Sequence, residues 1–161
     1  MRTRKYKTGT AWGVWLWSEV VIGGETYLRR LHLLKTPWGA VMIHWIFRPD
    51  PQPHLHDHPV SFLSIVLRGA YREIRPRDRG RASPGRGIDN LSQWVTAWNW
   101  IAARDIHRIV DVLPGTVTLC FAGPARQVWG FYTPEGKIAW TFYDSEAEIA
   151  AAGRPERELA S

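Results

Sequence analysis

The strongest constraint on the fold is a series of short segments rich in branched and aromatic residues, separated by turns that contain Pro or Gly. Such segments favour β-strands, because these side chains pack well on a pleated surface. We predict strands over 27–34, 40–47, 60–67, 71–75, 94–100, 107–112, 116–121, 129–132 and 138–143. Many short strands joined by turns predict an all-β sandwich or barrel.

The two ends of the chain lack the clear pattern of strands and turns seen in the middle. Residues 1–24 begin with a basic stretch and then mix Trp, Gly and Val, which predicts a tail followed by a segment without assigned structure. Ser145 is a suitable N-cap and Gly153 a stop signal for a short C-terminal helix. We therefore predict one barrel domain over 25–144, followed by a helix and tail over 145–161.

The composition excludes several classes of protein. Apolar residues make up 45% of the chain, which excludes general disorder. No apolar run reaches the roughly 18 residues of a membrane-spanning helix, and no signal-peptide pattern follows the basic start. Cys120 is the single cysteine, so no internal disulfide forms, and we expect a cytoplasmic protein. The 10 tryptophans fit either an aromatic cavity or an ordinary core.

The net charge of +6 is concentrated in the N-terminal stretch and in the segment Arg72–Arg86. Gly, Pro and Ser interrupt that segment, which favours a solvated loop. The alternative is an anion clamp that contacts nucleic acid. No helix-turn-helix or zinc finger is recognisable, so we favour the solvated loop and keep a nucleic-acid contact through it as the less favoured alternative.

Three of the six histidines lie in the run His54-Leu55-His56-Asp57-His58. A Pro-rich loop, 48–53, delivers the chain to this run. Alternate residues of a strand project from one face, so an extended run would point these imidazoles into one pocket. Neutral imidazole binds transition metals. The run therefore predicts a metal site; the alternative is a polar turn before a core strand.

Together these residues resemble the cupin superfamily, whose fold is a double-stranded β-helix, or jelly-roll barrel. The first cupin motif holds a His-x-His pair and ends on a glycine, here His56-Asp-His58 and Gly69. The second motif adds a histidine from a later strand, for which His107 is the candidate. Over 27–143 the chain looks like a subgroup of small bacterial and phage cupin-like proteins. The shared marks are His-Asp-His-Pro, Leu67-Arg-Gly-Ala-Tyr-Arg-Glu73, His107-Arg-Ile, Gly123-Pro and Trp129-Gly-Phe-Tyr132.

The resemblance implies an all-β cupin barrel with one divalent transition metal held by His56, His58 and His107. The glutamate ligand of the family would fall at Ser61 or Phe62, neither of which can serve, so the site has three histidines. Thiol dioxygenases of the cupin type also use three histidines with iron. We therefore expect an Fe(II) oxygenase that acts on a small or peptide-borne substrate, with Zn, Ni or Mn as alternative metals.

Further residues are candidates for catalysis and substrate binding, each with a purely structural alternative in the core or on the surface. The candidate acid/base groups are Tyr71, Glu73 and His44. The candidate substrate contacts are Arg104, Arg108, Trp98, Trp129 and His54. Asp57 is expected to fix the loop, while Asp105 and Asp111 are candidates for holding the second nitrogen of a ligand histidine.

Two other functions stay open on the sequence. One is redox-neutral catalysis, either by a metal isomerase or hydrolase or by a metal-free sugar epimerase with a His base and Tyr71 as the acid. The other is a non-catalytic cupin that binds a small ligand. By analogy with other cupins we expect a homodimer, formed through an edge strand within 27–47.

Overall fold

The computed structural model describes residues 2–10, 13–22, 24–77 and 90–143, with backbone alone for 2–10 and 13–16. The described residues form strands and one short helical turn at 140–143. The strands are β1 (Arg2–Thr10), β2 (Gly13–Ile22), β3 (Glu25–Thr36), β4 (Gly39–Ile46), β5 (Leu55–His56), β6 (Phe62–Arg68), β7 (Tyr71–Pro76), β8 (Asn90–Val95), β9 (Trp98–Ile101), β10 (Arg108–Val112), β11 (Thr116–Ala122), β12 (Gly130–Thr133) and β13 (Gly136–Ala139).

One large antiparallel sheet has the strand order β1-β2-β3-β4-β11-β6-β9. The strands predicted over 27–34 and 40–47 are confirmed as β3 and β4, which pair antiparallel as a hairpin. These two strands lie inside the sheet, between β2 and β11, so the expectation that they form an edge is wrong. Residues 13–22, which had no assignment from the sequence, form β2 and extend this sheet.

Two three-stranded sheets, with orders β10-β7-β8 and β13-β12-β5, complete the barrel. An isolated antiparallel bridge between His56 and His107 joins them. The amide of His56 donates to the carbonyl of His107 at 2.9 Å, and the amide of His107 donates back to His56 at 3.0 Å. This pair of bonds places two histidines that are distant in sequence directly opposite each other.

A tight crossing closes the β6–β7 turn. Gly69 has a φ of +75°, a region that glycine adopts without steric cost. A Cβ at this position would lie 2.5 Å from Oγ1 of Thr116. The Thr116 hydroxyl in turn donates to the carbonyl of Ala70 at 2.9 Å. This packing explains the glycine at the end of the first motif.

Three predicted elements need correction. The segment 94–100 is not one strand, because a bend at Thr96 and Ala97 divides it into β8 and β9, which belong to different sheets. The last predicted strand, 138–143, ends at Ala139 and turns into a helix. The first part of the basic segment is strand β7, not loop. Its remainder, beyond residue 77, and the predicted helix at 145–152 lie outside the described residues.

Among the residues that the structure describes, no helix is long and apolar enough to cross a membrane.

Candidate metal centre

Three imidazoles meet at the junction of the two small sheets. His56, His58 and His107 each offer one ring nitrogen, and these nitrogens all lie within 4.8 Å of one another. The ring centroids form a nearly equilateral triangle with sides of 5.0, 5.1 and 5.2 Å. His56 is in β5, His58 follows two residues later, and the backbone bridge brings His107 opposite His56. The predicted ligand set is therefore assembled in space.

The donor set fits a divalent metal ion. Nε2 of His58 and Nε2 of His107 are 2.7 Å apart, a distance at which one ring donates its proton to the other. Two imidazole nitrogens bound tetrahedrally at ~2.05 Å from one ion are separated by roughly 3.3 Å. An ion that replaces the shared proton therefore requires these two nitrogens to lie about 0.6 Å further apart than in the hydrogen bond.

Glu73 lies next to Nδ1 of His107, on the side of the ring away from His58. Its Oε2 lies 2.9 Å from Nδ1 of His107, and its side chain is fully buried. Burial by itself would raise the pKa of Glu73, but His107, Arg75 and Gln93 together lower it to about 2, so the group is a carboxylate. A carboxylate accepts hydrogen bonds and selects the tautomer with the proton on Nδ1. The lone pair of Nε2 of His107 is then directed towards His58.

Asp50 has a similar position behind His56, at a longer distance. Its Oδ2 is 3.9 Å from Nδ1 of His56, beyond hydrogen-bonding range, and Nδ1 is buried without a hydrogen bond. The carboxylate accepts hydrogen bonds from the Tyr27 hydroxyl and, at 2.6 Å, from the amide of Ile109. Asp50 therefore lies where a small movement of His56 would give Nδ1 an acceptor.

Two of the three histidines are held neutral. Burial lowers the pKa of His56 to about 4, and the opposing effect of Asp50 is smaller. Burial first, then the other two histidines and Arg30, place the pKa of His58 well below its ordinary value. Neutral imidazole is the form that binds metals. Both side chains are therefore in the metal-binding form at neutral pH.

The three histidines line a cavity of about 320 Å³ inside the barrel. Its apolar lining includes Ile101, Trp129 and Phe131, while Tyr71 and the carboxylate of Asp50 add polar groups. The ring of Trp129 lies edge-on to His56, at 6.0 Å between centroids. This volume is at the lower end for small-molecule sites. The centre therefore faces a cavity of a size suited to a small molecule.

Comparisons with known proteins agree with this architecture. No protein-family model and no curated protein matches the chain. The chain is similar to the crystal structure of a cupin-2 domain from Rhodospirillum rubrum, with a TM-score of 0.51 and 14% identity, over 92% of this chain and 94% of that chain. The fold is a cupin fold. The expected cupin barrel is thereby confirmed.

Two further structures are more distant from this cupin barrel. Hydroxypropylphosphonic acid epoxidase from S. wedmorenis has a TM-score of 0.40 and 12% identity, over 60% of this chain and 50% of that chain. Streptomyces albus HEPD, solved with 2-hydroxyethylphosphonate and Fe(II) bound, has a TM-score of 0.45 and 11% identity, over 84% of this chain and 26% of that chain. This chain thus spans only about half of the first protein and a quarter of the second.

The cupin barrel brings some of the candidate catalytic and substrate-binding residues to the cavity. His44, Tyr71 and Trp129 line it. The Tyr71 hydroxyl accepts a hydrogen bond from Asn99 at 3.0 Å, and burial is the main reason that its pKa rises to about 12. Glu73 does not line the cavity, because it is behind His107, where it orients the ring.

The other candidate substrate contacts are directed away from the cavity. Trp98 is 68% exposed, and Arg104 is also on the surface. Arg108 donates to the carbonyl of Pro53 at 2.8 Å and so holds the Pro-rich loop. His54 is 2.7 Å from the Tyr143 hydroxyl and lies outside the triad. The structure thus corrects these four placements, because strand register and loop packing turn the side chains outward.

Asp57 holds the loop that carries the histidine run, as expected from the sequence. It is buried and accepts hydrogen bonds from the Gly130 amide at 2.7 Å, from Gln127 at 2.9 Å and from Lys137 at 2.6 Å. Because Asp57 anchors the loop to β12 and β13, the neighbouring histidines are held towards the cavity.

Sequence reasoning chose the wrong carboxylates to support the ligands. Asp105 accepts from the amide of Ala102 at 3.0 Å, and Asp111 lies 3.6 Å from Arg72, so neither reaches a ligand histidine. Asp50 was missed, although an acidic residue six positions before His56, inside the Pro-rich loop, is a usable signal.

A second missed group comprises Arg30 and Thr118, which line the cavity with His44. Strand alternation carries a signal for Arg30, since it shares a face with the buried Leu28. A charged residue at an inward position of a strand is a candidate for function, because burial of a charge is costly without a partner.

Proposed function

We propose that this chain is a metal-dependent cupin enzyme, a mononuclear Fe(II) oxygenase that acts on a small substrate at His56, His58 and His107. The observation that carries the proposal is the convergence of three ring nitrogens within 4.8 Å, in the wall of a cavity inside the barrel. The buried carboxylate of Glu73 behind one ring supports it further, since such carboxylates orient metal-binding histidines.

Different residues of the chain would hold the metal ion and shape the cavity. His56, His58 and His107 would hold the ion, and three protein ligands leave positions open for other molecules. When bound, Fe(II) supplies the capacity to react with O2. Ile101, Trp129 and Phe131 form part of the apolar wall of the cavity and shape it. Tyr71, whose pKa of about 12 keeps it protonated, can donate a hydrogen bond to a bound molecule.

The proposal extends to the finer identity of the protein. The His-Asp-His-Pro sequence supports placing it with the small bacterial and phage cupin-like proteins. The size of the cavity supports a small molecule, or the side chain of a peptide, as the substrate. We keep a homodimer and a cytoplasmic location as parts of the same proposal.

Elemental analysis of the purified, tag-free protein is the first test. We expect close to one iron per chain after anaerobic reconstitution with Fe(II), and loss of that iron in His56→Ala and His107→Ala. The matched control is His54→Ala, which removes a histidine from the same run but outside the triad. This control should keep its iron.

O2 uptake with a panel of small organic substrates follows in an electrode cell. Uptake that depends on both iron and His107 would support the oxygenase. Stoichiometric zinc or nickel with no affinity for iron would refute the choice of metal and favour isomerisation or hydrolysis. A protein that binds no metal under any of these conditions would refute the proposal as a whole.

A further inference from the structure

A row of polar side chains crosses the inner face of the large sheet. Arg30 on β3 is opposite His44 on β4, and His44 is opposite Thr118 on β11. Residues that face each other on neighbouring strands have side chains about 5 Å apart. All three line the cavity that also contains the three-histidine centre. The row therefore forms one continuous polar strip inside an otherwise mainly apolar space.

Each member of the row has a buried polar atom without a hydrogen bond. These atoms are Nε of Arg30, Nε2 of His44 and Oγ1 of Thr118. Buried polar groups in folded proteins are nearly always paired, so three unpaired groups in register indicate an absent partner. Thr118 is only 1% exposed, and bulk water does not satisfy its hydroxyl.

The charge of Arg30 is also uncompensated. Within the described parts of the chain its guanidinium makes no hydrogen bond or ion pair. Asp50 is the single carboxylate among the described residues of the cavity lining, and it already accepts hydrogen bonds from the Tyr27 hydroxyl and the Ile109 amide. A buried cation is normally paired with an anion, because transfer of an isolated charge out of water is very unfavourable.

The chemistry of the row identifies the missing partner. A guanidinium offers several N–H donors in a planar fork that matches carboxylate and phosphonate oxygens. The Thr118 hydroxyl donates, and His44 can place its proton on Nε2, so all three unpaired atoms can act as donors. A group that accepts hydrogen bonds from all of them and carries negative charge is an oxyanion.

We propose that Arg30, His44 and Thr118 bind the anionic end of the substrate, which is therefore a small organic acid. The inference rests on the proposed function, since the other end of the acid would reach the three-histidine centre in the same cavity. The anion would neutralise Arg30 and give each of the three buried atoms a partner.

Ligand-observed NMR with the metal-loaded, full-length protein tests the proposal. The probes are propanoate and ethylphosphonate, with propanamide as the neutral match. We expect at least one of the two anions to bind the wild-type protein, and we expect propanamide not to bind. Binding of one anion alone would identify the headgroup. In Arg30→Met the dissociation constant for the bound anion should rise by about tenfold or more, as for a lost charged hydrogen bond.

Arg29→Met is the matched control. Arg29 is the next residue of the same strand, its side chain is 45% exposed and it pairs with Glu19. This variant loses the same charge outside the cavity, and its affinity for the anion should be unchanged. Thr118→Val keeps the shape of the side chain and should weaken binding by a smaller factor. It also serves as the working variant if Arg30→Met fails to fold.

Metal content measured on the same samples separates this inference from the proposed function. Iron binding with no anion binding, or with anion affinity equal in wild type, Arg30→Met and Thr118→Val, would overturn the inference and leave the metal centre standing. Anion binding that depends on Arg30 in a protein that binds no metal would support the oxyanion site and refute the oxygenase. Equal affinity for propanamide and propanoate would also overturn the inference.

Discussion

Replacement of Glu73 by glutamine tests most directly whether this carboxylate supports the metal centre through His107. The carboxylate accepts four hydrogen bonds: from Nδ1 of His107 at 2.9 Å, Nε of Arg75 at 2.7 Å, Nε2 of Gln93 at 2.7 Å and Nδ2 of Asn99 at 3.0 Å. Two of them reach Oε1 and two reach Oε2. An amide keeps one acceptor oxygen and replaces the other with an NH₂ group, so two of the four donors lose their acceptor.

The size of the effect follows from that count. Each buried donor left unpaired costs about 1–3 kcal/mol, so two cost roughly 2–6 kcal/mol. The loss of a buried ion pair to Arg75 gives a similar figure of about 3–5 kcal/mol. We therefore expect Glu73→Gln to lower the free energy of unfolding of the metal-free protein by about 4 kcal/mol. Metal affinity should fall ~10- to 100-fold, because His107 loses its orienting acceptor.

Urea denaturation measures the first quantity, and titration against a chelator of known affinity measures the second. The control for stability is Glu19→Gln, where the carboxylate pairs with the partly exposed Arg29 and a loss below about 1 kcal/mol is expected. The control for affinity is Gln93→Leu, which removes one donor but leaves the carboxylate on His107. A stability loss in Glu73→Gln no larger than in Glu19→Gln, or unchanged metal affinity, would refute the reasoning.

Three further perturbations have definite expected outcomes. Gly69→Ala should lower stability by about 2 kcal/mol or more, because it adds a clash with Thr116 to the strain of a positive φ. Gly24→Ala, with a φ of +82° and nothing within 4 Å, carries the strain alone, and equal urea midpoints for the two variants would contradict the clash. Burial raises the pKa of Cys120 to about 12, so the thiol stays protonated at pH 8. It should therefore react with iodoacetamide far more slowly in the native protein than in urea, and equal rates would contradict this expectation. Saturating metal at ~1,000 times its dissociation constant should stabilise the native state by about 4 kcal/mol, seen as a rise in Tm that a chelator reverses and that His107→Ala abolishes.

Sequence reasoning predicted the fold class because strand patterns are local. Alternation of apolar and polar residues, and turns built on Pro and Gly, mark most of the strands of the barrel. Alternation also placed Trp98 and Trp100 on one face of a strand, but it could not show that this face is exposed, so Trp98 was wrongly expected to contact the substrate. A period of two tells which residues share a face, whereas the packing of the sheets decides which face is inside.

The candidate site was predictable only where its parts are close in sequence or follow a known motif. His56 and His58 come together because they are two residues apart. The partnership of Glu73 with His107 joins residues 34 positions apart, and it depends on the register between β7 and β10. No local pattern encodes that register, which is why the role of Glu73 was mistaken for that of a cavity acid.

By itself, then, the sequence determined an all-β chain, a histidine pair on one side of a short extended run, and a glycine that permits a tight crossing. Tertiary structure decided the rest. It placed His107 opposite His56, set Glu73 and Asp50 behind the imidazoles, and aligned Arg30 with His44 across the large sheet. The physical reason is that strand pairing between distant segments is selected by burial of the whole core, and no single segment carries enough of that free energy to specify its own partner.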